Sequence, residues 1–142
     1  MIDLNTKFGR FVRKQLKSRY FIWLTTVDSN GMPQPRPVWF LWKDNSILVY
    51  SLAKTFKLQH IQGNPNVSLH FNTEDEAGEN RIVILTGIAT FDKQTPPANK
   101  HRAYMRKYRS GIRGLLKKTP KQFSQNQPVA IRIIPIKMRG WE

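Results

Sequence analysis

Short apolar segments separated by polar turns recur along most of the chain, and this pattern constrains the fold more than any other feature. The segments are rich in aromatic and β-branched residues, and the turns between them carry Asp, Asn, Ser and Gly, as is typical of strands joined by tight reversals. Six strands are predicted, at residues 19–27, 36–42, 47–51, 66–71, 82–91 and 129–138. Antiparallel strands in an open sheet of this size would leave unprotected edges. We therefore expect a small closed or nearly closed β-barrel.

Two strands contain residues that interrupt a regular ladder. Gly87 lies inside the run at 82–91, where a glycine usually marks a bulge or a close approach of another backbone. Pro135 lies in the last strand, at the point where the apolar residues change from one parity to the other. We expect a bulge or a close backbone approach at Gly87, and a bulge at Pro135.

Helical regions complete a single domain that spans residues 1–142. They are expected at residues 1–18, at residues 55–62 and, as a longer excursion between two strands, at residues 95–124. Thr55 is a suitable N-cap for the second helix. Gly111 and Gly114 are expected to break the third region.

The chain is strongly basic, with 24 Lys and Arg residues against 9 Asp and Glu residues and a net charge of +15. Such a charge attracts polyanions, which allows nucleic acid, an anionic membrane surface or phosphorylated small molecules as partners. One group of cations lies on the polar side of the N-terminal helix, and a second lies in the acid-free stretch 100–121. Tyr104 and Tyr108 in that stretch would suit stacked bases, although tyrosines at this helical spacing more often pack on the domain. Nucleic acid is therefore the less favoured class of partner.

The chain contains no cysteine, which excludes a disulfide framework and fits a reducing compartment. No apolar run approaches the roughly 18 residues that a membrane-spanning helix needs. Charges are also interspersed among the apolar residues of the N-terminal segment, unlike a secretory leader. We therefore expect a cytoplasmic protein with no membrane partner.

The sequence offers no side-chain chemistry of the hydrolytic or metal-dependent kind. His60, His70 and His101 are not at ligand spacing, and the densest acids lie at 72–80, which predicts an exposed hairpin loop. No nucleophile-elbow or phosphate-loop motif is present, and no two carboxylates lie on neighbouring rigid elements as an acid and a base would. No metal site is expected and no catalytic residue is assigned. An enzyme built on this chain would take its reactivity from a cofactor.

One set of residues fits a phosphorylated cofactor. Arg36 begins a predicted strand, and the short helix that follows has Thr55 at its N-terminus and Lys57 in its first turn. A guanidinium, a hydroxyl, an ammonium and the free N–H groups of a helix N-terminus can converge on one phosphate. The alternative is that Thr55 only caps the helix and that Lys57 points to water. The spacing by itself favours neither interpretation.

Several motifs resemble one known family. They are GMPQPRPVWF at 31–40, ILVYS at 47–51, KTFK at 54–57, NPNVSLHF at 64–71 and ILTGIA at 84–89. In this order and spacing they resemble the pyridoxamine 5'-phosphate oxidase-like family of FMN-binding split barrels. The terminal segment IKMRGW at 136–141 resembles the subgroup described as deazaflavin-dependent enzymes.

The resemblance implies a mainly β fold with helices, a six-stranded antiparallel split β-barrel that forms a homodimer with the cofactor at the subunit interface. It also implies a set of cofactor-binding residues. The segment that would run under the flavin consists of Arg36, Pro37, Val38 and Trp39. The ribityl and phosphate region would be lined by Tyr50 and Ser51, and the phosphate itself would be held by Thr55 and Lys57. The flavin of the other subunit would be contacted by Arg139 and Trp141. Phe56 stands where the oxidase itself often has a second basic residue.

These resemblances imply a flavoprotein oxidoreductase in which hydride passes between bound FMN and a small molecule. A second possibility keeps the fold but replaces FMN by an 8-hydroxy-5-deazaflavin coenzyme, whose acidic tail would suit the basic stretch 100–121. A third is a non-enzymatic module that binds flavin, another polyanion or nucleic acid.

Overall fold

The computed structural model describes residues 1–73 and 81–141. The helices are α1 (Lys7–Ser18), α2 (Phe56–Gly63), α3 (Arg102–Gly114) and α4 (Pro120–Asn126), with a 3₁₀ turn at Ala98–Lys100. The strands are β1 (Phe21–Val27), β2 (Pro33–Trp39), β3 (Leu41–Lys43), β4 (Ser46–Ser51), β5 (Asn66–His70), β6 (Ile82–Phe91) and β7 (Val129–Trp141). Most of the loop predicted at 72–80 lies outside the described residues.

The seven strands form one antiparallel sheet in the order β2-β1-β5-β6-β7-β4-β3. Strands β2 and β3 lie at the two ends of this order, yet only Phe40 separates them in the chain. The sheet must therefore curl until its ends come together at Phe40. The predicted mainly β, antiparallel split barrel is confirmed, with seven strands in place of six.

The additional strand arises because the segment predicted as one strand at 36–42 is divided at Phe40. The N–H of Phe40 donates to the Tyr108 hydroxyl at 2.8 Å, and that hydroxyl lies 2.7 Å from the carbonyl oxygens of both Phe40 and Tyr20. The Lys107 ammonium donates to the Phe40 carbonyl at 2.9 Å. Side chains of α3 thus satisfy the backbone of Phe40 where no strand pairs with it. At this residue the chain passes from pairing with β1 to pairing with β4.

The pairing of β6 with β7 contains the expected irregularity. Its register shifts by one residue between Thr86 and Gly87, opposite Pro135. A Cβ atom on Gly87 would lie only 2.7 Å from the carbonyl oxygen of Ile134, so a larger residue would push the two strands apart. The close backbone approach at Gly87 and the bulge beside Pro135 are both confirmed.

Alternate residues of β4 face two separate apolar cores, as strand geometry requires. Ile47 and Val49 face the first core, which fills the curled sheet and includes buried residues of α1. Leu48 and Tyr50 face the second core, which lies between the sheet and helices α3 and α4. The parity of a residue on β4 therefore decides which core its side chain enters.

Helix α3 continues through Gly111, so the break predicted there is wrong, and the helix ends at Gly114. The Tyr20 hydroxyl occupies the space that a side chain on Gly111 would take, and a Cβ atom would lie 3.2 Å from the Trp39 indole. Glycine costs about 1 kcal/mol in a helix relative to alanine. Close packing against two aromatic residues requires it here.

Helix α1 begins at Lys7, because the Thr6 side chain accepts a hydrogen bond from the Gly9 N–H and caps the first turn. Val12 and Leu16 are buried against the first core. In the described part of the chain, no helix has the combination of length and hydropathy needed to cross a membrane.

Candidate functional site

A polar cluster lies where the edge strand β2 approaches the N-terminus of α2. Arg36 is paired with Leu24 of β1, so its side chain lies on the face of the sheet on which Leu24 is buried. Its guanidinium donates through Nη1 to the Thr26 hydroxyl at 3.0 Å. Burial lowers the pKa of Arg36, but an arginine stays charged at neutral pH.

Thr26 connects Arg36 to a residue that the sequence analysis left out of the site. The Thr26 hydroxyl lies 2.8 Å from Nδ1 of His60 on α2. A hydroxyl can bind two partners at once, so Thr26 links the guanidinium of Arg36 to the imidazole of His60. The signal that could have revealed this contact is the alternation of β1, which places polar Thr26 on the same face as apolar Leu24 and Ile22.

The hydroxyl of Thr55 is not used by the helix that it begins. Thr55 occupies the N-cap of α2, but its side chain makes no capping hydrogen bond. Its Oγ1 lies 3.5 Å from Oγ of Ser51, the last residue of β4. The interpretation of Thr55 as a simple cap therefore does not describe this structure. Its hydroxyl remains able to bind a ligand at the helix N-terminus.

Lys57 is half-buried beside Arg36 and does not point freely to water. Burial, and next the charge of Arg36, lower the pKa of Lys57 from its usual value. In the described part of the chain no carboxylate pairs with either cation, since the one ion pair seen there joins Arg132 to Asp92. Asp28, which lies near His60, accepts from two backbone N–H groups of its own turn and from the Gln34 side chain of β2. Two neighbouring cations without a carboxylate partner repel each other, and a bound anion would stabilise both charges.

Open cavities flank α2. One of about 660 Å³ includes Thr55, Leu58 and Phe91 in its lining, and one of about 760 Å³ includes Phe56 and His60. Volumes of this order suit cofactor-sized ligands. Arg36 and Lys57 line neither of these cavities. The two cavities therefore reach the polar cluster at Thr55 and His60 and not at its two cations.

Four of the predicted cofactor-binding residues lie at or next to this cluster, namely Arg36, Ser51, Thr55 and Lys57. Three others flank Arg36 on β2. Pro37 is exposed, and Val38 packs against the first core. The indole of Trp39 stacks on Tyr108, with ring centroids 4.7 Å apart and planes within 14°. The Trp39 side chain thus belongs to the second core, and its contact with a ligand stays a prediction.

Tyr50 points away from the polar cluster. Its hydroxyl donates to the Pro96 carbonyl at 2.6 Å, and its ring meets Tyr104 edge-on in the second core. Burial raises the pKa of Tyr50 to about 12, so the phenol is neutral at physiological pH. The opposite parity of Tyr50 and Ser51 on β4 sends only the serine towards the cluster.

Arg139 and Trp141 lie at the far end of β7, opposite Ile84 and Ile82 of β6. Strands β1, β5 and β6 separate this part of the sheet from β2. The Trp141 side chain is 59% exposed. Within one chain these two residues do not join the polar cluster, and their contact with a cofactor in a partner subunit stays a prediction.

A second polar network, centred on Arg132, has a structural role. Arg132 donates to Asp92 at 2.7 Å, to Ser46 at 2.6 Å and to Thr95 at 2.8 Å. These bonds occupy all three guanidinium nitrogens. Hydrogen bonds from Arg132, then from Thr95 and the Gln94 N–H, lower the pKa of Asp92 to about 2. Groups of three or more potential metal-binding side chains do not occur among residues 1–73 and 81–141.

The fold and the cluster define a split-barrel protein with two neighbouring cations, and a threonine hydroxyl that makes no capping bond, at one edge of the barrel. A profile of the family described as Pyridoxamine 5'-phosphate oxidase matches residues 8–141. The chain therefore belongs to this family, which confirms the resemblance seen in its motifs. Among curated protein sequences, none matches the chain.

Solved structures with the same fold differ in their described roles. The conserved hypothetical protein Rv2991 of Mycobacterium tuberculosis is 19% identical, with 94% of this chain and 83% of that chain covered and a TM-score of 0.75. A protein described as an F420 reductase is 19% identical, with 89% and 94% covered and a TM-score of 0.67. The heme storage protein HutZ of Vibrio cholerae is 16% identical, with 99% and 96% covered and a TM-score of 0.65. At these identities the likeness shows the fold alone.

Proposed function

We propose that this protein is a flavin-binding oxidoreductase that holds the phosphate of FMN with Arg36, Ser51, Thr55 and Lys57. The observation that carries the proposal is the pair of half-buried cations, Arg36 and Lys57, close enough for one to lower the pKa of the other and without a carboxylate partner in the described chain. A phosphate dianion would satisfy both cations and accept from the Thr55 hydroxyl. The N-terminus of α2 adds favourable N–H groups. The family name, that of an oxidase, agrees with this assignment.

When bound, the flavin would supply the hydride chemistry that no side chain of the cluster can supply. The residues of the chain would bind and orient it. Thr26 fixes the guanidinium of Arg36 by accepting one of its hydrogen bonds, and His60 in turn holds Thr26. The phosphate contacts would therefore be formed by side chains that are already positioned, which reduces the entropy lost on binding.

Strand β2 would form one wall of the ring-binding region. It is an edge strand, paired only with β1. Pro33, Pro35 and Pro37 occur at alternate positions along it, and prolines prevent a further strand from pairing at such an edge. The edge thus stays available to a ligand.

The site would be completed by a second copy of the chain. In one copy Arg36 and Lys57 line neither of the cavities beside α2, and Trp141 lies exposed at the far end of the sheet. In a homodimer, Arg139 and Trp141 of one copy would cover the flavin bound by the other, which gives the exposed indole an apolar contact.

An 8-hydroxy-5-deazaflavin coenzyme is the second candidate ligand. It carries a phosphate that the same cluster would bind, and a protein of the same fold is described as an F420 reductase. The acid-free, cationic stretch 100–121 would attract its acidic tail.

Identification of the co-purified ligand tests the proposal. Protein purified without added cofactor should carry FMN or a deazaflavin, identified by absorbance and mass spectrometry. Added FMN should bind with a higher affinity than riboflavin, because riboflavin lacks the phosphate. Equal affinities for FMN and riboflavin, or a co-purified haem without flavin binding, would refute the proposal.

A further inference from the structure

A further cavity, of about 390 Å³, is bounded by the β3–β4 turn, the segment that follows β6 and the start of α3. Its lining includes His101 and Leu48, and Leu48 faces the second core. Residues three apart on a strand lie on opposite faces of the sheet, so Ser51 of the polar cluster points away from this cavity. The cavity is therefore separate from the proposed flavin site. We refer to it as the His101 cavity.

His101 is an almost fully buried side chain at the N-terminus of α3. It is 8% exposed, and its Nδ1 accepts a hydrogen bond from the Tyr104 N–H at 3.3 Å, which caps the helix. A backbone N–H can only donate, so Nδ1 carries no proton. Burial, and next the charges of Lys43 and Arg132, lower the pKa of His101 from 6.5. The imidazole is therefore neutral at physiological pH, with its proton on Nε2.

The Nε2–H group of His101 has no hydrogen-bond partner among residues 1–73 and 81–141. In the same part of the chain, no fully buried side-chain nitrogen or oxygen lacks a partner. Nε2 is therefore not fully buried, and it reaches the opening that His101 lines. A ring that is held in place by the helix cap thus directs an unused N–H donor into the cavity.

Positive charge predominates around this donor. The charged residues of the lining are four cations and two carboxylates, namely Lys43, Lys100, Arg102, Arg132, Asp44 and Asp92. Asp92 is committed to Arg132 and to the Thr95 hydroxyl, so this pair forms a neutral wall. The side chains of the three other cations have no partner in the described part of the chain. The single remaining carboxylate, that of Asp44, does not cancel their charge.

We propose that the His101 cavity binds the phosphate group of a small metabolite, with Nε2 of His101 as the buried donor and Lys43 and Lys100 as charged donors. The free N–H groups at the N-terminus of α3 add to these donors. Donors from the β3–β4 turn and from the start of α3 approach from different directions. A phosphate presents three oxygens to such a set, whereas a carboxylate presents two in one plane. A volume of about 390 Å³ leaves room for more than a bare ion.

Nuclear magnetic resonance of the histidine rings in the full chain tests the site with inorganic phosphate as the probe. The chain has three histidines, and the His101 signals are assigned by their loss in His101→Asn. At constant pH, phosphate should shift the His101 signals to saturation, and sodium chloride at equal ionic strength should not. The signals of His70, which stacks on Trp23, should stay unchanged. No shift at His101, an equal shift with chloride or a stronger response to succinate would overturn the proposal.

A matched pair of lysine variants tests the charge of the lining. Lys43→Gln should weaken the phosphate response at His101 severalfold. Lys93→Gln removes a charge that is equally exposed but lies outside this lining, and it should keep the native affinity. Asp44→Asn should bind phosphate more tightly, because it removes the carboxylate that opposes the ligand. Equal losses in the two lysine variants, or weaker binding by Asp44→Asn, would mean that the cavity is not the site.

The variant Lys57→Gln separates this site from the proposed flavin site. It should leave the phosphate response of His101 unchanged, and loss of that response would assign the phosphate to the polar cluster. In the Lys57→Gln background, His101→Asn should lower the phosphate affinity measured by calorimetry at least about fivefold. Asparagine still caps a helix, so α3 is retained, and the thermal midpoint checks this. An unchanged affinity would remove His101 from the site. His101→Asn should not alter FMN affinity, so the two proposals can fail independently.

Discussion

Replacement of Lys57 by glutamine is expected to weaken FMN binding while leaving the barrel intact. The variant loses one charge-assisted hydrogen bond to the phosphate, worth about 1.5–3 kcal/mol. The dissociation constant for FMN should therefore rise about 10- to 150-fold. Fluorescence titration with purified apoprotein measures this change.

The matched control is Lys54→Gln. Lys54 is exposed three residues before Lys57, so the variant removes the same charge from the same region without removing a proposed contact. We expect its affinity for FMN to change severalfold less than that of Lys57→Gln, because an exposed charge is screened by salt. Titration with riboflavin is the second control. Riboflavin should bind both variants and the native protein equally.

Although Lys57→Gln should weaken FMN binding, we expect it to stabilise the ligand-free protein. Burial and the neighbouring Arg36 lower the pKa of Lys57, which means that its charge is less favourable in the folded than in the unfolded state. Removing that charge should raise the thermal midpoint of the ligand-free protein. If the midpoint falls, or if riboflavin affinity falls as much as FMN affinity, Lys57 supports the fold and the assignment of a phosphate contact is refuted.

Three further changes test other parts of the structure. Tyr108→Phe removes the hydroxyl that binds the backbone of buried Phe40. It should lower the unfolding free energy by about 1–3 kcal/mol, measured by urea denaturation. A change below about 0.5 kcal/mol, which is typical of surface substitutions, would contradict the explanation of the strand break at Phe40. Because hydrogen bonds to Asp92 lower its pKa to about 2 from 3.8, its contribution to stability is present above pH 4 and is lost as the pH falls to 2. The unfolding free energy of Asp92→Asn should therefore fall less between pH 4 and pH 2 than that of Asp44→Asn, which is an exposed control. An equal fall in both variants would contradict the stabilising role of the Arg132 network. Deletion of residues 139–142 should weaken flavin binding and expose the flavin to solvent without unfolding the apoprotein; unchanged affinity and fluorescence would remove Arg139 and Trp141 from the site.

Local patterns in the sequence determined most of the strands and the irregularity in the last pair. These patterns are the alternation of apolar and polar residues, the turn residues and an isolated glycine, and each acts over only a few residues. For this reason β6 lies at the predicted residues 82–91 and the bulge lies beside Pro135. The first turn of α2 follows from the same kind of signal. The alternation of side chains along β4 determines on which face of the sheet each residue lies. It does not determine which residues pack against that face.

The tertiary structure decided the features that depend on residues far apart in the chain. The division of a predicted strand at Phe40 depends on Tyr108, 68 residues later, and the continuity of α3 through Gly111 depends on Tyr20 and Trp39. Tyr50 enters the second core because α3 covers that face of the sheet. No local period encodes such contacts, since they exist only once the sheet has curled.

The candidate site shows the same distinction. Residue type and spacing offered Arg36, Thr55 and Lys57 as groups that could converge on a phosphate, because helix N-termini bind anions. They did not identify Thr26 and His60, whose side chains lie 2.8 Å apart although 34 residues separate them. The sequence determined which chemical groups are available, and folding decided which of them meet, because β1, β2 and α2 come together only through the packing of the barrel.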